Sequence, residues 1–365
     1  MRQIIPLFSL RPLAGALLLS SLLLFSAIAC QKESASSGAG DSEEPLGSIT
    51  LTVECDEPAI ESRAVSAYTT VEDYEAVVKK AEFFVFDATS GVMNSYLSLT
   101  NPTVTAGQLA AQTLTCTQGS KHIYAVLNGG SISGLSAVRT EAAFQSKVSD
   151  LSHNGRSTDT GFTMIGRLDK TVNGDNQAAS ITVKRLAFRV VLQKITNSSS
   201  LGALEVKSVF LINSAKQLSL QMTNESTLPI TSTVGYNIAG KKTGSSSFVA
   251  ASSSTSDVPD MLFQDHVTSI AQGSSSSTRK MVYGYPHTST GTNTPRLVVL
   301  ASLAGNDYYY PMNIPSPLAN DTFTIELTIK NIGSSDPNLP VETGSASVTV
   351  TVGGWTSKTG IDTTI

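Results

Sequence analysis

Apolar and polar residues alternate along this chain in many short runs. In 46–55, Ile49, Leu51, Val53 and Cys55 share one parity and Thr50, Thr52 and Glu54 the other, which predicts a strand with one buried face. Residues 79–87 repeat the pattern with Ala81, Phe83 and Val85. Residues 109–117 and 122–128 read as a strand pair bounded by Gly119 and Gly129-Gly130, with Leu114 and Cys116 on one face. A short strand is expected at 162–165. The second half predicts strands at 204–213, 218–222 and 279–285, then a hairpin of 296–303 and 307–314 around Gly305-Asn306. Phe323, Ile325, Leu327 and Ile329 alternate with polar residues, as do Ala346, Val348, Val350 and Val352. Helical spacing is rare. It predicts one turn at 72–78, a helix at 136–151 carrying Val138, Ala142, Phe144 and Val148, and a short helix at 260–267 within a Ser-rich loop region, 240–277.

Residues 181–195 carry a switch of phase. Ile181 and Val183 lie on one parity, Leu186, Phe188, Val190 and Leu192 on the other, and Lys184 and Arg185 mark the change. Such a flip means a bulge, or a chain that leaves one sheet and enters another. The expected fold class is therefore all-β, two consecutive β-sandwich domains with few short helices. The expected domains are 46–183 and 184–365.

Before the first strand the chain changes character. Arg2 and Arg11 flank an uncharged stretch of 17 residues, Leu13 to Ala29, rich in Leu and Ala. It is shorter than the roughly 20 residues of a stable span and reads as a signal peptide. Ala27-Ile28-Ala29-Cys30 resembles a lipobox, so residues 1–29 are expected to be removed and Cys30 to receive lipid. Residues 30–45 lack large apolar side chains up to Pro45 and are rich in Ser, Gly and acid, the composition of a disordered tether.

Without the signal, 336 residues remain, and 23 basic side chains face 29 acidic ones, a net charge of −6. No basic patch points to nucleic acid. His122, His153, His266 and His287 are scattered, with no HExxH, no GxSxG and no phosphate loop. No catalytic residue, metal site or cofactor is expected, and the chain does not read as an enzyme. Tyr308-Tyr309-Tyr310 could form a sugar platform, but alternation in a strand would split the three between faces, which favours packing.

Several segments together resemble the Bacteroidales fimbrillins, or type V pilins. They are the lipobox, AEFFVFD at 81–87, HIYAVLNGG at 122–130, FTMIG at 162–166 and VKRLAFRVVLQKI at 183–195. YYYPMNI at 308–314, NDTFTIELTIKNIG at 320–333 and SASVTVTVGGW ending at Trp355 complete the set. Their order covers most of the mature chain; 228–278 matches least. The resemblance implies two transthyretin-like β-sandwich domains and surface delivery as a lipoprotein of the outer membrane. It further implies cleavage by an Arg-specific protease after the first strand, and filling of the resulting groove by a C-terminal strand of the next subunit. On this chain the cut falls at Arg63-Ala64, in a polar stretch without strand pattern. The removable strand carries Ile49, Leu51, Val53 and Cys55. The candidate donor carries Ala346, Val348, Val350, Val352 and Trp355, and the partners are other fimbrial subunits. A head-to-tail contact of this kind propagates without closing.

Cys55 and Cys116 allow two readings. They are separate buried thiols, or they bond the first strand to a later one in an oxidising compartment. A bond would hold the first strand after cleavage and favour an anchor or accessory subunit; separate thiols keep the polymerising pilin open. The alternative from another class is a surface glycan-binding lipoprotein.

Overall fold

The computed structural model describes residues 44–56, 72–243, 247–250, 259–339, 341 and 346–354. In the first half, strands β1 (Leu46–Cys55), β2 (Lys80–Asp87), β3 (Met93–Thr100), β4 (Gln108–Thr117), β5 (Gly119–Leu127), β6 (Met164–Val172) and β7 (Gln177–Arg185) form one sheet. Its order is β3-β2-β5-β6-β7-β1-β4, closed at one edge by the two-residue strand Val104–Thr105. The sheet curls on itself, and Thr117 Oγ1 near one end donates to Asn94 Oδ1 near the other at 3.0 Å. Inside the curl lies a core of Ile49, Leu51, Val53, Phe83, Val85, Leu114, Ile123, Leu127, Ile181 and Val183. These are the alternating apolar positions of each strand, as period-two patterning requires.

The phase switch marks a change of sheet. β7 ends at Arg185, and β8 (Phe188–Asn197) opens a second sheet after the buried pair Leu186-Ala187. β8 pairs with β11 (Lys280–Gly284) and Ser275–Ser276 on one side and, in parallel, with β14 (Asp321–Ile329) on the other. β15 (Ala346–Gly354) pairs antiparallel with β14 at the edge. The third sheet runs β10-β9-β12-β13, with β9 (Leu204–Ile212), β10 (Phe263–Ile270), β12 (Arg296–Leu303) and β13 (Asn306–Asn313). Ala304 and Gly305 both take positive φ, 52° and 82°, between β12 and β13, which is the two-residue hairpin turn that suits strand twist. A core formed largely by the second and third sheets is continuous with the outer face of the first, where Phe84, Phe86, Tyr124, Val126 and Ile165 are buried. The fold is all-β.

Two helical expectations are corrected. Residues 136–151 do not form one helix. They contain a 3-10 turn, Leu135–Ala137, a five-residue helix, Glu141–Gln145, capped by the Thr140 side chain, and a strand, Val148–Asp150, paired with Gln217–Ser219. Phe144 is buried against Phe84, Phe86 and Tyr124, while Val148 is exposed, so the apolar spacing marks separate anchors over the first sheet. Residues 260–267 begin as a 3-10 turn, Asp260–Leu262, and continue as strand β10. The expected turn at 72–78 is the 3-10 turn Asp73–Glu75.

Candidate functional site

β1 is the first described element in the chain but sits inside the sheet, between β4 and β7. It runs antiparallel to β4, with Ile49 opposite Leu114 and Val53 opposite Leu109. It runs parallel to β7, with Ile49 opposite Gln177 and Cys55 opposite Val183. Ile49, Leu51 and Val53 are sealed from water. Each contributes about 1.5–3 kcal/mol through burial, and both backbone edges are paired. Without β1, a slot with two open strand edges and an apolar floor would face solvent, a state that recruits another strand.

Both ends of the slot are specific. At the start, a Cβ on Gly47 would lie 2.7 Å from the Gly174 carbonyl oxygen and 2.8 Å from Val172 Cγ1. Ser48 Oγ accepts from the Asn176 amide at 2.8 Å and donates to Asp175 Oδ1 at 3.3 Å. At the other end, the Asp56 amide donates to the Val183 carbonyl at 3.0 Å. Asn320 Nδ2 donates to Asp56 Oδ2 at 3.1 Å, and Lys184 Nζ stands 3.8 Å from the same oxygen. Burial pushes the Asp56 carboxyl above its usual range; Lys184 and Arg185 pull it back in part.

Beside Asp56 the junction between the sheets holds a buried ion pair. Arg189 Nη1 donates to both Glu75 oxygens, at 3.0 and 2.8 Å, and neither side chain reaches solvent. Tyr283 OH donates to Glu75 Oε1 at 2.8 Å, and the Glu72 amide donates to Oε2 at 2.7 Å. Arg185 Nε and Nη2 donate to the Glu75 carbonyl at 3.1 and 2.8 Å. Residues 72–75 are thus fastened to β8 and β11 independently of β1. Sequence reading missed Glu75, Arg185, Arg189 and Asn320 as a group. The available signal was two arginines, four residues apart, in an otherwise apolar run.

The expected site residues fall as follows. Ile49, Leu51, Val53 and Cys55 line one face of β1, with Cys55 half-buried. Cys116 is buried opposite Gly47, whereas Cys55 lies beyond the Glu54–Gln108 pair at the far end of β1. By strand rise the two are about 25 Å apart, whereas a disulfide needs Cα atoms about 4.4–6.8 Å apart. The disulfide reading is therefore corrected to two separate thiols. Burial pushes the Cys116 thiol upward. Ala346 is buried, and the β15–β14 register sets Val348, Val350 and Val352 opposite Leu327, Ile325 and Phe323. Cys30, Arg63, Ala64 and Trp355 lie outside the described residues. Tyr310 is buried and donates to the Asn331 carbonyl, and Tyr309 meets Phe210 edge-on. Among the described residues, no cluster of three side chains is placed to hold a metal, and no helix is long and apolar enough to cross a membrane.

Residues 48–221 match the family model described as major fimbrial subunit protein (FimA). No curated protein matches the chain. Among solved structures, a candidate cell adhesion protein from Parabacteroides distasonis shares the fold with a TM-score of 0.59 at 16% identity, over 85% of this chain and 99% of that one. A fimbrilin (fimA) from Porphyromonas gingivalis superposes with a TM-score of 0.54 at 13% identity, over 86% and 99%. The tip fimbrial protein Mfa3 of Porphyromonas gingivalis, C-terminally truncated, gives 0.52 at 11% identity, over 85% and 100%. These family and structural neighbours are described as fimbrial or adhesion proteins and none as an enzyme. Residues 48–221 thus carry the major fimbrial subunit (FimA) family pattern, and the chain as a whole has the fold of these fimbrial and adhesion proteins.

Proposed function

We propose that the protein is a structural subunit of a cell-surface fimbria, exported as a lipoprotein on Cys30 and assembled by strand exchange. Removal of 30–63 by cleavage at Arg63-Ala64 takes β1 away and opens its slot, and the C-terminal strand of another copy fills it. One observation carries the reading. β1 lies in the middle of its sheet between strands distant in sequence, and a cut in 57–71 breaks the chain that joins it to them. The separate thiols support the reading, because no covalent link between Cys55 and Cys116 retains β1. The clamp on Glu75 also supports it, since Arg185 and Arg189, not β1, hold that residue in place.

The test is limited digestion of the 31–365 protein with an Arg-specific protease, followed by N-terminal sequencing and native sizing. The proposal expects a new N-terminus at Ala64 and a ladder of oligomers. A protein cut at that position that stays monomeric and retains the released peptide would favour an anchor or accessory subunit.

A further inference from the structure

The chain carries a second copy of the sequence pattern that its first-strand slot selects. Residues 47–55 read Gly-Ser-Ile-Thr-Leu-Thr-Val-Glu-Cys, and residues 344–352 read Gly-Ser-Ala-Ser-Val-Thr-Val-Thr-Val. Gly and Ser recur at the first two places. Apolar residues recur at 346, 348, 350 and 352, where β1 has Ile49, Leu51, Val53 and Cys55. Hydroxyl residues recur at 347 and 349, where β1 has Thr50 and Thr52.

Each shared feature answers a physical demand of the slot. The first place has no room for a Cβ, because Gly174 and Val172 stand under 3 Å from where it would be. Nothing larger than glycine fits there without moving backbone. At the second place a hydroxyl is held by two groups of the 173–176 turn, the Asn176 amide and the Asp175 carboxylate. A residue without that hydroxyl loses both bonds and leaves these exposed groups to water, a modest cost. At the third, fifth and seventh places the side chain enters the sealed core, and a shift of one residue would turn the apolar row outward.

Resting on the strand-exchange reading, we infer that residues 344–352 of a second copy enter the slot in one register and one direction. Gly344 takes the place of Gly47 and Ser345 that of Ser48, antiparallel to β4 and parallel to β7. At home, among the described residues, β15 pairs along one edge, to β14. In the slot the strand gains ladders on both edges, as β1 has. Gly353 falls in the place of Asp56, so the incoming strand carries no carboxylate into a position where burial works against charge. Ala346 in the place of Ile49 is the weak point, because it leaves part of the core floor unfilled.

The experiment uses the protein cut after Arg63, cleared of its first strand, and synthetic peptides of residues 343–354. Tight binding of the parent peptide is expected. Gly344→Val should weaken it at least tenfold, Ser345→Ala about threefold, and Ala346→Ile should tighten it severalfold. Register is read by cross-linking. Thr113 is opposite Thr50 in β4 and exposed, so a Thr113→Cys protein that also carries Cys116→Ser should bond under mild oxidation to a Ser347→Cys peptide. Ser345→Cys and Thr349→Cys peptides should bond poorly. Preferential bonding at 345 or 349, or equal binding of the Gly344→Val peptide, would overturn the register while leaving strand exchange in place. If no peptide binds the emptied slot, strand exchange itself fails and the register with it.

Discussion

Replacing Arg189 by Met tests whether the junction between the sheets depends on its buried ion pair. The Glu75 carboxylate is sealed from water, and four hydrogen bonds reach it: two from Arg189 Nη1, one from Tyr283 OH and one from the Glu72 amide. Arg189→Met fills much of the volume but removes the only cation on that carboxylate among these partners. Two neutral donors remain on an anion with no route to solvent. Breaking a buried pair by removing one partner costs about 3–5 kcal/mol. With a urea slope of about 2 kcal/mol/M, the midpoint should fall on the order of 2 M. The assay is urea unfolding of the 31–365 protein followed by far-UV circular dichroism, with Glu75→Gln and the double variant alongside. Much of the cost comes from the orphaned charge, so the double variant should cost less than the sum of the singles, by about 2 kcal/mol or more. A loss below about 1 kcal/mol for Arg189→Met, or strict additivity, would refute the argument that the pair is desolvated and coupled.

Three further outcomes follow from the same geometry. Leu51→Ala empties part of the first-strand floor and should cost about 2–5 kcal/mol, read as a lower unfolding midpoint and faster amide exchange along β1. The Asp56 carboxyl is shifted upward, so the docked end of β1 holds its proton more tightly than the free chain. That contribution is present below the ordinary carboxylate value and is lost as pH rises through the shifted one. Amides of Cys55 and Asp56, corrected for intrinsic rates, should therefore be better protected near pH 4 than at pH 7, and Asp56→Asn should remove the difference; protection that rises with pH would contradict this. Burial, helped by Lys280, pushes His266 down to about 4. The imidazole stays neutral in the fold, so its contribution is intact above the free value and is lost as pH falls from about 6.5 towards 4. An NMR titration should find its ring resonances unchanged from pH 7.5 to 5.5, and a midpoint near 6.5 would contradict the burial.

Much of the fold was legible because burial here follows strict alternation. The rows of β1, β2, β14 and β15 are readable from Ile, Leu, Val and Phe at every second place. The phase switch at Lys184-Arg185 was readable for the same reason, since a strand entering another sheet must turn a new face inward. Strand β3 was missed because nearly all its side chains are half-buried and show no contrast. β10 was taken for a helix because a register shift opposite Val206 and Ser208 breaks its alternation. The segment around Phe144 was misread because its anchors fall at helical spacing by accident of the loops between them. At the site, the apolar row of β1 was visible, but its end fittings were not. Gly47, Ser48 and Asp56 become distinctive only when the 173–176 turn and Asn320, far along the chain, are brought against them.

The central claim is that the first strand is an exchangeable plug. Cys116 reports on it directly, because this thiol is 3% exposed and lies in β4 beside β1, paired with Gly47. The measurement is the alkylation rate of Cys116, followed by peptide mass spectrometry, in three samples: the intact 31–365 protein, the freshly cut monomer, and the oligomer that follows. The account predicts slow labelling in the intact protein, fast labelling once the cut has released β1, and slow labelling again when a strand from another copy refills the slot. Equally slow labelling before and after the cut, with the first-strand peptide still bound, would contradict it.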